Sequence, residues 1–274
     1  MSSLSMHSMV TSLVVIALSL LLGACVSSRS YSEGTVPDGK DRVTASDESD
    51  ASKRARARME LASAYFGQGQ MTTALDQVKL AIAADPNLGD AFNLRGLIYA
   101  NLGDEALAAE SFRRALQINP RDADTMQNFG FFLCRIKRYP EADALFDRAL
   151  AEPRYQDTVR TLQSQGVCRA YAGQLAESEL SLTRAYEIDP SNASTAVNLA
   201  EVLYRRGEYE RARFYIRRIN SQPSVANAQT LWLALRIENR MGNAAGVQDF
   251  GRQLRSRFPN APETTKYQQG AFDD

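Results

Sequence analysis

The chain has 274 residues, and its 32 lysines and arginines balance its 32 aspartates and glutamates, so the formal net charge is zero. A neutral chain without a long basic tract interleaved with aromatic residues is not typical of a protein that binds nucleic acid. Its one histidine is His7, so the rest of the chain has no imidazole for a catalytic triad or a zinc site. This composition predicts a protein that is not an enzyme and that uses no cofactor, metal or small-molecule substrate.

The first predicted element, residues 1–24, is an export signal. Its apolar run, Leu13 to Leu22, is shorter than the roughly 20 residues that span a bilayer, and it is typical of a signal-peptide core. The Leu-Gly-Ala-Cys sequence that ends at Cys25 resembles a bacterial lipobox, in which the cysteine is lipidated and becomes the mature N-terminus. The alternative is a short apolar segment with an incidental cysteine.

The lipobox resemblance also implies a location. Val26 follows Cys25 where lipoproteins retained at the inner membrane often have Asp, so we expect a lipid anchor in the outer membrane, facing the periplasm. Several acyl chains would hold the protein firmly, since each buried methylene contributes about 0.8 kcal/mol. Residues 25–52 are rich in Ser, Asp and Gly, and this composition predicts a flexible linker.

Residues 53–262 contain a repeat. Ala74, Ala108 and Ala142 lie 34 residues apart, and each copy has two amphipathic segments with a Gly-containing turn between them and a Pro-containing turn after them. Small residues fall where two helices would cross closely. The pattern predicts an all-α fold of stacked helical hairpins, with a sixth, degenerate copy as a cap and residues 263–274 as a C-terminal tail. The copies lie near 55–88, 89–122, 123–158, 159–192, 193–226 and 227–260.

The segment Asp90 to Pro120 carries the pattern most completely, and here the chain resembles the tetratricopeptide repeat (TPR) family. The resemblance implies a TPR superhelical solenoid of about six repeats, which is a general scaffold for binding proteins. The family's usual Trp near the start of each repeat is replaced by Arg58, Phe92, Met126, Leu162 and Ala196, which is common variation.

In TPR stacks the first helices of the repeats line a concave groove, and the family's groove positions can be mapped onto this chain. Exposed Phe, Tyr and Leu side chains there would favour a peptide or a helix as ligand. The alternative is that Phe131, Val167 and Leu97 pack against neighbouring helices. The mapped residues are Met59, Phe66, Asn93, Leu97, Asn101, Gln127, Phe131, Arg135, Gln163, Val167, Tyr171, Val197, Glu201, Tyr204 and Arg205.

Two cysteines fall in the first helices of neighbouring repeats, Cys134 in the third and Cys168 in the fourth. First helices stack side by side, and the two positions lie at comparable height. A disulfide forms in an oxidising compartment when the Cα atoms come within roughly 7 Å. The alternative is two buried thiols that pack as small apolar residues.

The order of the motifs resembles a narrower family, the type IV pilus biogenesis family called PilW or PilF. The resemblance rests on the lipobox, the linker, the repeats and three segments, Gln127 to Ala142, Ala200 to Arg213 and Leu254 to Glu263. It implies a pilotin that binds the pilus secretin and promotes its outer-membrane localisation and assembly. The alternative is another envelope TPR lipoprotein, a scaffold for outer-membrane protein insertion or cell-wall synthesis.

Overall fold

The computed structural model describes residues 49–272, which contain helices and turns and no strand. The expected signal peptide, Cys25 and most of the linker lie outside these residues. The first described helix begins at Asp50, where the side chain of Ser49 accepts a hydrogen bond from the backbone N–H of Ser52. Residues 50–52, which the sequence assigns to the linker, are therefore helical.

The described helices, in chain order, are α1 (Asp50–Gly67), α2 (Met71–Ala84), α3 (Gly89–Leu102), α4 (Glu105–Ile118), α5 (Ala123–Arg135), α6 (Tyr139–Leu150), α7 (Thr158–Tyr171), α8 (Leu175–Ile188), α9 (Ala193–Arg205), α10 (Tyr209–Asn220), α11 (Ala228–Arg240), α12 (Ala244–Arg257) and α13 (Pro262–Gln269). Helices α1 to α12 pair into six antiparallel hairpins, one for each predicted repeat. The all-α solenoid predicted from the sequence is confirmed.

The first helices of the hairpins lie on the inner side of the stack. Each odd-numbered helix from α1 to α11 has Cα atoms within 8 Å of the next odd-numbered helix, whereas the even-numbered helices from α2 to α12 make no such contact with one another among the described residues. A stack that is tighter on one side curves toward that side. The odd-numbered helices therefore line the concave face.

The repeated small residues hold the two helices of each hairpin close together. A Cβ atom added to Gly96 would lie 2.8 Å from the ring of Phe112, and one added to Gly166 would lie 2.6 Å from Leu182. Neither distance leaves room for a side chain, because interiors are already close-packed. The alanines at the repeat positions are likewise fully buried, and they include Ala74, Ala108, Ala142, Ala81, Ala115 and Ala149.

The turns inside the hairpins share one backbone conformation. In five of the six, a glycine has a φ angle between 71° and 84°, which is the left-handed region. In the third hairpin the residue with positive φ is Lys137, at 63°, and it is the one non-glycine residue with positive φ among residues 49–272. Left-handed backbone is unfavourable for a residue with a Cβ atom.

The C-terminal tail contains a helix that the sequence reasoning missed. In α13, Thr264 donates a hydrogen bond through Oγ1 to the carbonyl of Phe258 over 2.7 Å. After α13, the ring of Phe272 lies 6.1 Å from that of Trp232, between centroids. Terminal repeats need such a cover, because their last apolar face has no further repeat to pack on. None of the helices between residues 49 and 272 is long and apolar enough to cross a membrane.

Candidate protein-binding cleft

A cleft of about 530 Å³ opens on the concave face between the third, fourth and fifth hairpins. We call it the repeat 3–4 cleft, because α5 and α7 supply most of its walls. Its lining residues are Phe131, Cys134, Arg135, Lys137, Tyr139, Gln163, Ser164, Val167, Tyr171 and Asn198. A volume of this size suits a few side chains of a ligand.

The helical period places the apolar lining residues side by side. Phe131 and Arg135 are four residues apart in α5, and Gln163, Val167 and Tyr171 follow at the same interval in α7, so each set shares one face of its helix. The side chain of Phe131 is 50% exposed and that of Tyr171 is 71% exposed. Two large rings exposed in a concavity favour an apolar ligand.

The charged residues that line the cleft are all positive. Arg135 and Lys137 supply two cations, and no Asp or Glu lines the cleft. Neither cation makes an ion pair or a hydrogen bond with another residue in the 49–272 region. The cleft therefore has an excess of positive charge that no carboxylate in its lining balances.

Amide side chains connect the first helices along the concave face. Asn128 donates to Asn93 over 3.3 Å between Nδ2 and Oδ1, and Arg160 donates to Asn128 over 3.2 Å. The hydroxyl of Thr195 donates to Gln163 over 3.4 Å. Side-chain amides both donate and accept, so those that reach the surface of this face can bind the backbone of a ligand.

Cys134 and Cys168 join α5 to α7 as a disulfide in the structure, with 5.7 Å between their Cα atoms. Cys168 is buried, and Cys134 lines the cleft. The bond therefore connects the two helices that form most of the cleft.

Behind the cleft, the contact between the third and fourth hairpins is polar. The guanidinium of Arg169 donates to both carboxylate oxygens of Asp143, over 2.8 and 3.0 Å. Gln165 donates to Asp147 over 2.7 Å, and Ser181 donates to Gln165 over 3.0 Å. A bidentate Arg–carboxylate pair has a defined geometry, so these bonds fix how α7 lies against α6.

Of the fifteen mapped groove residues, five line the repeat 3–4 cleft: Phe131, Arg135, Gln163, Val167 and Tyr171. Val197 and Glu201, with Gln163, line a second opening of about 470 Å³ further along the concave face. Two of the mapped residues are buried and do not reach the groove surface: Gln127 is 2% exposed and Tyr204 is 7% exposed. The guanidinium of Arg236 lies 4.4 Å from the centroid of the Tyr204 ring and covers it.

The mapped residues of the first two hairpins contribute mainly to packing. Met59 and Phe66 pack against the core between the first two hairpins, and Leu97 packs against the next core. For Leu97, the alternative that it packs against neighbouring helices is the correct one. Asn101 donates to the carbonyl of Leu97 over 2.8 Å. At the other end of the stack, Arg205 donates to the carbonyl of Ala170 over 3.1 Å.

Sequence reasoning missed Lys137, Tyr139, Ser164 and Asn198 as lining residues. Lys137 had a detectable signal, since it occupies the place that Gly103 and Gly173 hold in the neighbouring hairpins. An alignment of the turns, rather than of the helices, would have found it.

A third opening lies at the ends of the hairpins and has a different character. It is lined in part by Asp122 and Asp124. The pKa of Asp124 is raised mainly by burial and then by repulsion from Asp122 and Asp157. The pKa of Asp90 is raised mainly by burial and then by repulsion from Asp122. Within residues 49–272, no cluster of His, Cys, Asp or Glu has an arrangement that could hold a metal ion.

Comparison with known proteins identifies the repeats and their order. Models of the tetratricopeptide repeat match residues 41–89, 89–122, 123–151 and 170–231. The chain is 25% identical over 255 residues to the type IV pilus assembly protein PilF of Pseudomonas aeruginosa. The matched residues make up 93% of this chain and 96% of PilF. It is also similar to the crystal structure of PilW, a widely conserved type IV pilus biogenesis factor, with 31% identity and a TM-score of 0.73. This match covers 77% of this chain and 97% of the PilW chain.

The chain belongs to the PilW/PilF family of type IV pilus biogenesis proteins. The solved structure of Pseudomonas aeruginosa PilF has the same fold, with a TM-score of 0.71 and 24% identity over 81% of this chain and all of that one (100%). TPR proteins of pilus biogenesis are scaffolds that bind protein partners. The repeat 3–4 cleft is a surface of the kind that such binding needs.

Proposed function

We propose that this protein is a lipid-anchored pilotin of the outer membrane, which binds the type IV pilus secretin and promotes its localisation and assembly into multimers. The observation that carries the proposal is the 31% identity with PilW, which extends over 97% of that chain. The lipobox resemblance at Cys25 supports the location, because it supplies an anchor that a TPR stack by itself does not have.

The proposed mechanism is capture by a tethered scaffold. Cys25 holds the protein at the membrane, and the concave face binds the partner. Tethering raises the effective concentration of the partner near the membrane without any new contact. The anchor and the cleft must therefore act in one molecule, and no catalytic step is needed.

The anchor is tested by Cys25→Ala in cells that make type IV pili, with Ser27→Ala as the matched control. We expect the TPR stack to remain folded in Cys25→Ala but to leave the outer membrane, and secretin multimers there to fall. Immunoblots of membrane fractions measure both. Normal secretin multimers in the Cys25→Ala strain would overturn the anchored mechanism.

The cleft is tested by the double variant Phe131→Ala and Tyr171→Ala. Both side chains are at least half exposed, so we expect normal folding with loss of secretin co-purification. Phe214→Ala is the control, because Phe214 is 62% exposed on α10, outside the cleft. Intact pili together with a general envelope defect in a deletion strain would favour the other kind of envelope scaffold.

A further inference from the structure

Lys137 lines the cleft, although its backbone conformation is unfavourable for any residue other than glycine. Its φ of 63° lies in the left-handed region, and the other five hairpins have glycine at the equivalent turn. Strained residues of this kind persist when the surrounding structure holds them, and they concentrate at functional sites. A lysine in this position therefore calls for an explanation beyond the turn itself.

Lys137 gives the cleft a charge that glycine would not. With Arg135 it gives the cleft two cations, and no carboxylate lines the cleft to balance them. Glycine would relieve the backbone strain and remove one of these cations. The strained turn is thus coupled to the charge of the cleft.

Part of the cleft lining is apolar. Phe131, Val167 and Tyr171 form this part, and the Phe and Tyr rings are 50% and 71% exposed. Ser164 and Asn198 add a hydroxyl and an amide that can bind a peptide backbone. A complementary ligand has an apolar side chain next to negative charge, because surfaces of opposite charge select one another.

We infer that the repeat 3–4 cleft binds an extended segment of a protein partner in which an apolar side chain is followed by Asp or Glu. The apolar side chain lies between Phe131, Val167 and Tyr171. Lys137 and Arg135 bind the carboxylates through charge-assisted hydrogen bonds. The inference rests on the proposed function in one respect: it takes this cleft as the binding site for a protein partner.

The test uses the purified protein and fluorescein-labelled ten-residue Gly/Ser peptides that carry one Phe followed by two Asp, two Asn or two Lys. Fluorescence anisotropy measures their affinities. At low salt we expect the Asp peptide to bind about tenfold more tightly than the Asn peptide, and the Lys peptide to bind most weakly. The advantage should shrink to about twofold near 1 M salt, because exposed charges are then screened.

Variants assign the preference to the two cations. Lys137→Gly fits the turn and should remove about two-thirds of the Asp preference without loss of thermal stability, whereas Lys137→Arg should keep the preference. Arg135→Glu should reverse the preference toward the Lys peptide. Arg184→Glu is the control, because Arg184 is exposed on α8 and does not line this cleft.

Equal affinity for the Asp and Asn peptides, or no detectable binding of any peptide, overturns the inference. Either result leaves the proposed function to be judged by the Cys25→Ala experiment, which does not depend on the chemistry of the cleft. Conversely, normal secretin multimers in Cys25→Ala cells would overturn the anchored mechanism, while a salt-sensitive Asp preference that depends on Lys137 would still support the inference.

Discussion

Two neighbouring interfaces in the stack are built from different chemistry. Between the second and third hairpins, the ring of Phe112 lies 5.3 Å from that of Phe129 and 5.8 Å from that of Phe132, between centroids. Between the third and fourth hairpins, the corresponding contacts are the Arg169–Asp143 pair and its neighbours, together with the disulfide. The cleft opens at the polar interface.

The difference teaches how a stack of similar repeats can hold one position more rigidly than another. Apolar burial is strong but has no preferred direction. Bidentate hydrogen bonds and a disulfide have fixed geometry. We conclude that the third and fourth hairpins are joined, where the cleft opens, by groups of defined geometry that link α7 to both α5 and α6.

The largest effect is expected where the aromatic interface is removed. Phe112→Ala should lower the free energy of unfolding by about 3–5 kcal/mol, because the ring is fully buried and truncation leaves a cavity. Urea denaturation followed by circular dichroism measures it. The exposed Phe214→Ala control should change it by less than about 0.5 kcal/mol. A loss below about 1 kcal/mol for Phe112→Ala would show that burial of this ring contributes little to the stability of the stack.

The next effect concerns the covalent link. The double variant Cys134→Ser and Cys168→Ser should lower the free energy of unfolding by about 2–4 kcal/mol, since the disulfide closes a loop between residues 34 apart. Reduction of the wild-type protein should have a similar effect, and it should not affect the variant. Intact mass after alkylation is the direct check, and two thiols that react before reduction would show that the bridge does not form.

Replacing the polar contact should have a smaller effect. Arg169→Met should lower the free energy of unfolding by about 1–2 kcal/mol, because it removes the hydrogen bonds to Asp143, which is itself partly exposed. Arg138→Met is the control, since Arg138 pairs with Glu141 at the surface, and we expect no measurable change. Equal losses in the two variants would mean that the Arg169 pair behaves as an ordinary surface ion pair.

The smallest effect is a gain. Lys137→Gly should raise the free energy of unfolding by about 0.5–1 kcal/mol, because glycine adopts the left-handed conformation without a Cβ penalty. The reciprocal change, Gly103→Lys in the second hairpin, should lower it by a similar amount. Thermal melts of both variants provide the measurement. Destabilisation by Lys137→Gly would show that the lysine side chain stabilises the fold and that the turn is not strained.

The fold could be predicted from the sequence because its determinants repeat. Small residues such as Gly96 and Gly166 mark each close helix crossing, so one hairpin predicts the next. The sixth copy is expected near 227–260, and α11 and α12 both lie within these bounds. Helix α13 could not be found in this way, because it has eight residues, lies outside the repeat and depends on packing against the last hairpin.

The candidate site was predictable only in part. Position in the repeat mapped Phe131 and Tyr171 to the groove, and both side chains are exposed. It failed for Tyr204, since the exposure of a side chain depends on its neighbours, and Arg236 from the next hairpin covers that ring. Lys137 was missed because it breaks the turn pattern, and a pattern by itself identifies only the residues that conform to it.

The disulfide has a further consequence for the chain that it encloses. Between Cys134 and Cys168 lies the turn after α6, where Pro153 and Arg154 are exposed. A protease that cuts there would break the polypeptide, but the two fragments would stay covalently attached through the sulfur atoms. Reducing and non-reducing gels would therefore give different answers for a nicked sample, and only the reducing gel would reveal the cut.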